Sequence, residues 1–177
     1  MSSYPPVSGP RAEEDPLLAQ LLEELRDRHN DAIAGILLYG SCLRSGNIYD
    51  GLLDLYLVCD NYRATYGAGP LAVANWLLPP NVFYAESSRE GKTLRSKVTV
   101  ISLADFRQGC SMAWFESYIW GRFAQPTLIL YARDASVREN LEHSLREAAR
   151  TLLRRSLPAL PAEGTVAALW EQSLALS

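Results

Sequence analysis

The chain is short of the residues that most often advertise a site, with 3 cysteines and 2 histidines among 177 residues. Cys42, Cys59 and Cys110 lie far apart without metal-ligand spacing, and a chain of this size has no need of a disulfide framework. That argues against a zinc ribbon or a disulfide-stapled scaffold and makes a reducing interior the expectation. His29 closes the first expected helix and His143 sits among arginines, neither with a partner nearby in sequence, so neither is assigned catalysis. Excess basic charge is also missing: 17 Lys and Arg against 20 Asp and Glu leave a net charge of -3. Proteins that coat nucleic acid carry a strong basic excess, so general nucleic-acid binding is not expected and any anionic partner is met locally. No apolar run approaches the roughly 18 residues of a spanning helix. The N-terminal MSSYPPVSGPRAEEDP has neither the apolar core of a signal peptide nor the acid-poor character of a transit peptide. The expectation is a soluble, cytoplasmic protein with a disordered, Pro-rich leader over 1–14.

What is present is enough apolar sequence, 48% of residues, for one core. Asp15-Pro16 reads as an N-cap and first helical position, and Leu17, Leu18, Leu21, Leu22 and Leu25 recur on one helical face toward Asn30. Two short apolar runs follow, 32–38 and 52–59, close enough to be antiparallel neighbours, with the loop SCLRSGNIYDG between them. A short helix is expected through Val73 and Trp76, stopped by Pro79-Pro80. NVFYAES and RSKVTVISL predict a third and fourth strand around the polar turn SREGK, and Ser102 to Asp105 predicts a helix cap. AWFESYIWGRF has aromatics at helical spacing, TLILYARD reads as an edge strand or an extended connector, and 136–157 is helical, with a final short helix from about Gly164. The expected fold is α+β: a mixed sheet over 15–135, packed by helices, with a helical C-terminal extension over 136–177.

The stretch ILLYGSCLRSGNIYDGLLDLYLVCD carries the chemistry. Phosphoryl and nucleotidyl transfer need charge neutralisation and in-line positioning more than covalent help from the protein. A Gly40-Ser41 turn at a strand end lets backbone N–H groups approach phosphate oxygens, and the Ser41 hydroxyl adds a donor. Asp54 on the next strand can hold Mg²⁺ against the same phosphates. Twelve residues separate Ser41 from Asp54, enough for a loop around a triphosphate. Tyr56 shares the face of Asp54, because side chains alternate along a strand, and fills the slot of a second carboxylate. Asp60 has the same parity but lies too far along the strand, which leaves Asp50, folding back from the turn, or Glu86, from an adjacent strand, as further metal ligands.

In motif order the chain resembles the mitochondrial-type phosphatidate cytidylyltransferases (CDP-diacylglycerol synthases) of the polymerase-β-like nucleotidyltransferase superfamily. LYGSCLRSGNIYDGLLDLYLVCDN is similar to the family's Tyr-Gly-Ser…Asp-Leu-Ile…Val motif. NVFYAES, KVTVISLADF, WFESYIWGRFAQPTLIL and the helical tail are similar to later segments in the same order, from Ile36 onward. The resemblance implies Mg²⁺-dependent transfer of CMP from CTP to phosphatidate. It places the triphosphate at Gly40 and Ser41, the metal at Asp54, and phosphate-facing cations at Lys97 and Arg122; Arg44, in the loop, is a further cation expected at the nucleotide. Where the family has a lysine before proline this chain has Gln125. A phosphate monoester is already ionised near neutral pH, so a reduced acidic set suffices for its attack. A lipid acceptor implies peripheral contact with an anionic membrane, for which the helix bearing Leu141, Leu145, Ala148, Leu152, Leu153 and Arg138, Arg146, Arg150, Arg154 and Arg155 offers one surface. Other outcomes are a different acceptor, such as a sugar phosphate, protein or RNA end, or a degenerate module that binds nucleotide without turnover.

Overall fold

Asp15 accepts hydrogen bonds from the Leu17 and Leu18 amides at 3.0 Å each, and Pro16 takes the first helical position, where its missing N–H leaves nothing unpaired. They start α1 (Pro16–Asp27) in the computed structural model, which describes residues 7–29, 32–67, 81–159, 165, 167–169 and 171. The five leucines expected on one face of α1 are its buried residues. They lie on a five-stranded sheet made of β1 (Ile33–Tyr39), β2 (Leu53–Cys59), β3 (Asn81–Arg89), β4 (Lys92–Ser102) and β5 (Leu128–Ala132), in the order β3-β4-β2-β1-β5. Neighbours are antiparallel except β2 and β4, which run parallel, so the sheet is mixed and the chain α+β, as the element order predicts. β5 is a true edge strand rather than a connector.

Alternation splits the strands between two layers. Ile36, Leu38, Leu55, Leu57 and Val98 face α1, while Leu37, Tyr39, Tyr56, Val58 and Ile101 face the opposite core. That second core is closed by α4 (Leu103–Gly109), α5 (Trp120–Phe123) and α6 (Ala135–Ser156), with α2 (Ser41–Ser45) and α3 (Tyr62–Tyr66) as single-turn inserts after β1 and β2. Ser102 caps α4 through the Asp105 amide at 3.1 Å, as its sequence predicts. Glu90 and Gly91, at φ 52° and 77°, form the tight turn between β3 and β4, the left-handed pair that matches strand twist in a two-residue hairpin.

Several expectations are corrected. The aromatic run 113–123 is helical only at α5; before it, Arg155 donates to the carbonyls of Met112 and Trp114 at 3.2 and 2.7 Å, holding that segment as turns with Phe115 88% exposed. Most of the apolar face of α6 that offered a surface for lipid is buried on the sheet through Val137, Leu141, Leu145, Ala148 and Leu152, whereas Leu153 is 39% exposed. Two of its arginines, Arg150 and Arg154, share Glu147. The described part of the leader is not free of the domain, since Val7 and Ala12 pack against the α1 core. The helix expected through Val73 and Trp76 and most of the one from Gly164 lie outside the described residues. No helix among the described residues is long and apolar enough to cross a membrane.

Gly109 measures how tightly the second core is closed. A Cβ there would meet Ile119 Cγ1, Cβ and Cγ2 at 2.8, 2.9 and 2.9 Å. In an open helix Gly→Ala stabilises by about 1 kcal/mol. Here Gly109→Ala is expected to destabilise by about 1–3 kcal/mol, the usual cost of overpacking, read from the urea midpoint at unchanged m-value.

Candidate active site

β1 and β2 pair so that Tyr39 stands opposite Asp54. The next residue, Gly40, adopts φ +90°, where a side chain is strained, and a Cβ at that position would fall 2.5 Å from Asp54 Oδ2. The carboxylate therefore rests against a bare Cα, and the glycine of the predicted phosphate turn is required by its own partner across the hairpin. α2 starts immediately afterward, with the Ser41 side chain exposed. From α2, Arg44 donates to Gln125 Oε1 at 3.3 Å, so the residue standing where the resembled family has lysine holds an arginine in place. On its other side Asp54 is the register partner of Lys97 on β4.

The charges converge. Burial raises the pKa of half-buried Asp54, and Lys97, Arg122 and Arg44 pull it back without cancelling the shift, so the net displacement is upward. Arg122 from α5 donates to the Tyr56 hydroxyl at 3.1 Å and lies 4.6, 5.4 and 6.0 Å from the ring centroids of Tyr118, Tyr39 and Tyr56. Burial would lower the pKa of Arg122, but the three tyrosines outweigh it and the guanidinium stays charged. Burial pushes the Tyr39 phenol up to about 12, against the pull of Arg122, and drives Tyr56 further in the same direction. Both are neutral near pH 7. The slot of a second carboxylate thus holds a fully buried phenol that orients a cation.

The structure brings Gly40, Arg44, Asp54, Lys97 and Arg122 together. Asp50 and Glu86 are not among the charges acting on Asp54. Glu86 lies two strands and two residues from the Asp54 row, on the order of 12 Å between backbones. Among the described residues no group of three or more His, Cys, Asp or Glu could hold a metal ion. Asp54 alone fits a magnesium ion that arrives on nucleotide phosphates, since Mg²⁺ keeps several waters and commonly takes one or two protein carboxylates.

Sequence reasoning missed the tyrosine cage and a cavity of about 360 Å³ beside it, lined by Glu116, Ser117, Tyr118, Gly121, Arg122 and Gln125. The parity of Tyr56 with Asp54 and the four-residue step from Tyr118 to Arg122 carried that signal. Nothing local said that α5 would reach β2.

No protein-family model matches the chain, and no curated protein matches it in sequence. Among solved structures, a nucleotidyltransferase-like protein from Exiguobacterium sibiricum 255-15 is similar, with 12% identity and a TM-score of 0.45 over 89% of this chain. This chain spans 62% of that protein's length. What the chain does is argued from the side chains around Asp54.

The raised pKa of Asp54 has a definite sign. A carboxyl whose folded pKa exceeds its unfolded value, near 3.8, gives its full stability below that value and loses it as pH rises through the folded pKa. Asp54→Asn removes the ionisation, so its melting temperature is expected above wild type at pH 7, with the gap closing by about pH 3. Thermal melts at the two pH values check this.

Proposed function

We propose that this protein transfers a nucleoside monophosphate unit from a nucleoside triphosphate to a phosphate-bearing acceptor, with release of pyrophosphate. The observation that carries the proposal is the convergence of Lys97, Arg122 and Arg44 on the single half-buried carboxylate of Asp54. Three cations against one anion leave two positive charges uncompensated, in a chain whose net charge is -3. Such a local excess suits a polyanion, and the bare Cα of Gly40 beside it leaves room for phosphate oxygens.

In the proposed step an acceptor phosphate oxygen attacks the α-phosphorus in line. The new bond joins that oxygen to phosphorus, and the bond from phosphorus to the bridging oxygen breaks, so that pyrophosphate leaves with the electron pair. A phosphate monoester, whose second pKa is about 6, is largely dianionic at pH 7 and needs no base to deprotonate it. That is consistent with a site whose second acidic position holds neutral Tyr56. Lys97, Arg122 and Arg44 lower the repulsion between the two anions and the charge that builds on the leaving oxygen. A magnesium ion bound with the triphosphate would add further neutralisation, and Asp54 is the residue that would hold it.

The more specific reading is a CTP-dependent phosphatidate cytidylyltransferase making CDP-diacylglycerol for phospholipid synthesis, with peripheral contact to an anionic membrane. It is supported by the order of motifs from Ile36 onward. A second reading, a soluble acceptor such as a sugar phosphate, is favoured by the polar cavity at Arg122 and by the burial of the α6 leucines. Labelled CTP, Mg²⁺ and either phosphatidate vesicles or sugar phosphates are expected to yield pyrophosphate with one acceptor class. Asp54→Asn is expected to lower the rate at least about a hundredfold. Release that survives this change removes Asp54 from the chemistry, and tight CTP binding with no product from any acceptor makes the chain a binding module.

A further inference from the structure

One row of side chains crosses the sheet on the face of Asp54. Tyr39, Asp54, Lys97 and Tyr84 are successive register partners on β1, β2, β4 and β3. The described helices cover the β1 end of this row but not the β3 end, where Val82 and Tyr84 are 45% and 54% exposed. One step along, on the same face, Glu86 pairs across the strands with Arg95, both exposed. The Tyr84 hydroxyl donates to Glu86 Oε2 at 2.9 Å. This bond between residues i and i+2 fixes the phenol along the strand and leaves the ring accessible. It also leaves Glu86 Oε1 without a hydrogen bond from any described residue.

We propose that Tyr84 is the stacking platform for the base of the nucleotide whose phosphates lie at Asp54 and Lys97, and that Glu86 selects a base bearing an exocyclic amine. The proposal rests on the nucleotide-transfer reading above and assigns its specificity. Two strand spacings separate Tyr84 from Asp54, about 10 Å, a span that one nucleoside monophosphate unit covers from phosphate to base. Lys97, between them, lies along the same line. An exposed aromatic ring on a sheet edge accepts any base face, so stacking alone gives affinity without choice. Choice comes from the carboxylate, which only accepts hydrogen bonds: cytosine and adenine present an amine donor where uracil presents a carbonyl oxygen, which the carboxylate repels. Glu86, one of the acids expected at the metal, thereby acquires a role that suits its distance from Asp54.

Calorimetry on the full chain with CTP, ATP and UTP, each with Mg²⁺, tests this. CTP or ATP is expected to bind at least about tenfold tighter than UTP, one good hydrogen bond's worth of discrimination. The order of CTP and ATP tells which amine-bearing base is preferred. Tyr84→Ala is expected to weaken the preferred nucleotide about tenfold, whereas Tyr84→Phe, which keeps the ring, retains most of the affinity. Glu86→Ala is expected to erase the preference over UTP, while Lys97→Ala weakens all three nucleotides and keeps their order. Both β3 positions are exposed on an edge strand, and circular dichroism confirms folding. Equal binding of the three nucleotides, unmoved by Tyr84→Ala, overturns this inference and leaves the transfer reading intact. Failure of every nucleotide to bind the wild-type chain overturns both.

Discussion

The contact on which the site depends is the approach of the Asp54 carboxylate to the bare Cα of Gly40, set by the pairing of Tyr39 with Asp54. Strand register admits no half measures: a slip of one residue turns every side chain to the other face. It would bring Leu53 or Leu55 opposite Tyr39 and send Asp54 into the layer under α1. The leucines of β1 and β2 forbid this, because one set is matched to the α1 stripe and the other to the helices behind. The polar site is thus held in place by apolar packing on the opposite side of the sheet. Lys97 and Tyr84 inherit their positions from the same register through β4 and β3.

A second constraint explains why the site is cationic. In the position where a further carboxylate would face Asp54, the chain has buried Tyr56, and its hydroxyl receives a hydrogen bond from Arg122. A buried carboxylate there would have needed a second partner, because an unpaired charge is costly away from water. The phenol is neutral: its oxygen accepts from the guanidinium, and its hydroxyl is also hydrogen-bonded with Tyr118. Tyr39 and Tyr118 present their ring faces to the same group. The result is a positive charge fixed in direction by aromatic neighbours, as a group that meets phosphate needs to be.

Much of this was legible in the chain. The α1 stripe, the β1–β2 hairpin, the two later strands and the α4 cap follow from local periodicity and cap chemistry, and the structure has them within a few residues. Gly40 and Asp54 were legible as residue types at strand ends, Lys97 and Arg122 through the motif resemblance, and the structure brings them together as types alone could not guarantee. What could not be read was non-local. The segment 113–119 has helical spacing but is pinned by Arg155, about forty residues later in the chain. The separation of Glu86 from Asp54 depends on β4 inserting between β3 and β2, a matter of strand order and not of sequence proximity.

The strand order has one more consequence. Two local hairpins, β1 with β2 and β3 with β4, meet along the parallel joint of β2 and β4, a pairing of strands well separated in the chain. Local pairings form early and cheaply, whereas such a joint pays its loop entropy before its contacts repay it. Asp54 belongs to one hairpin, Lys97 and Tyr84 to the other, and Arg122 to a later segment still. A polyanion that touches all of them spans the seam between units that fold separately. Under the proposed function, the binding energy of such a polyanion would add to the docking of the two hairpins and make the ligand part of what holds the native state together.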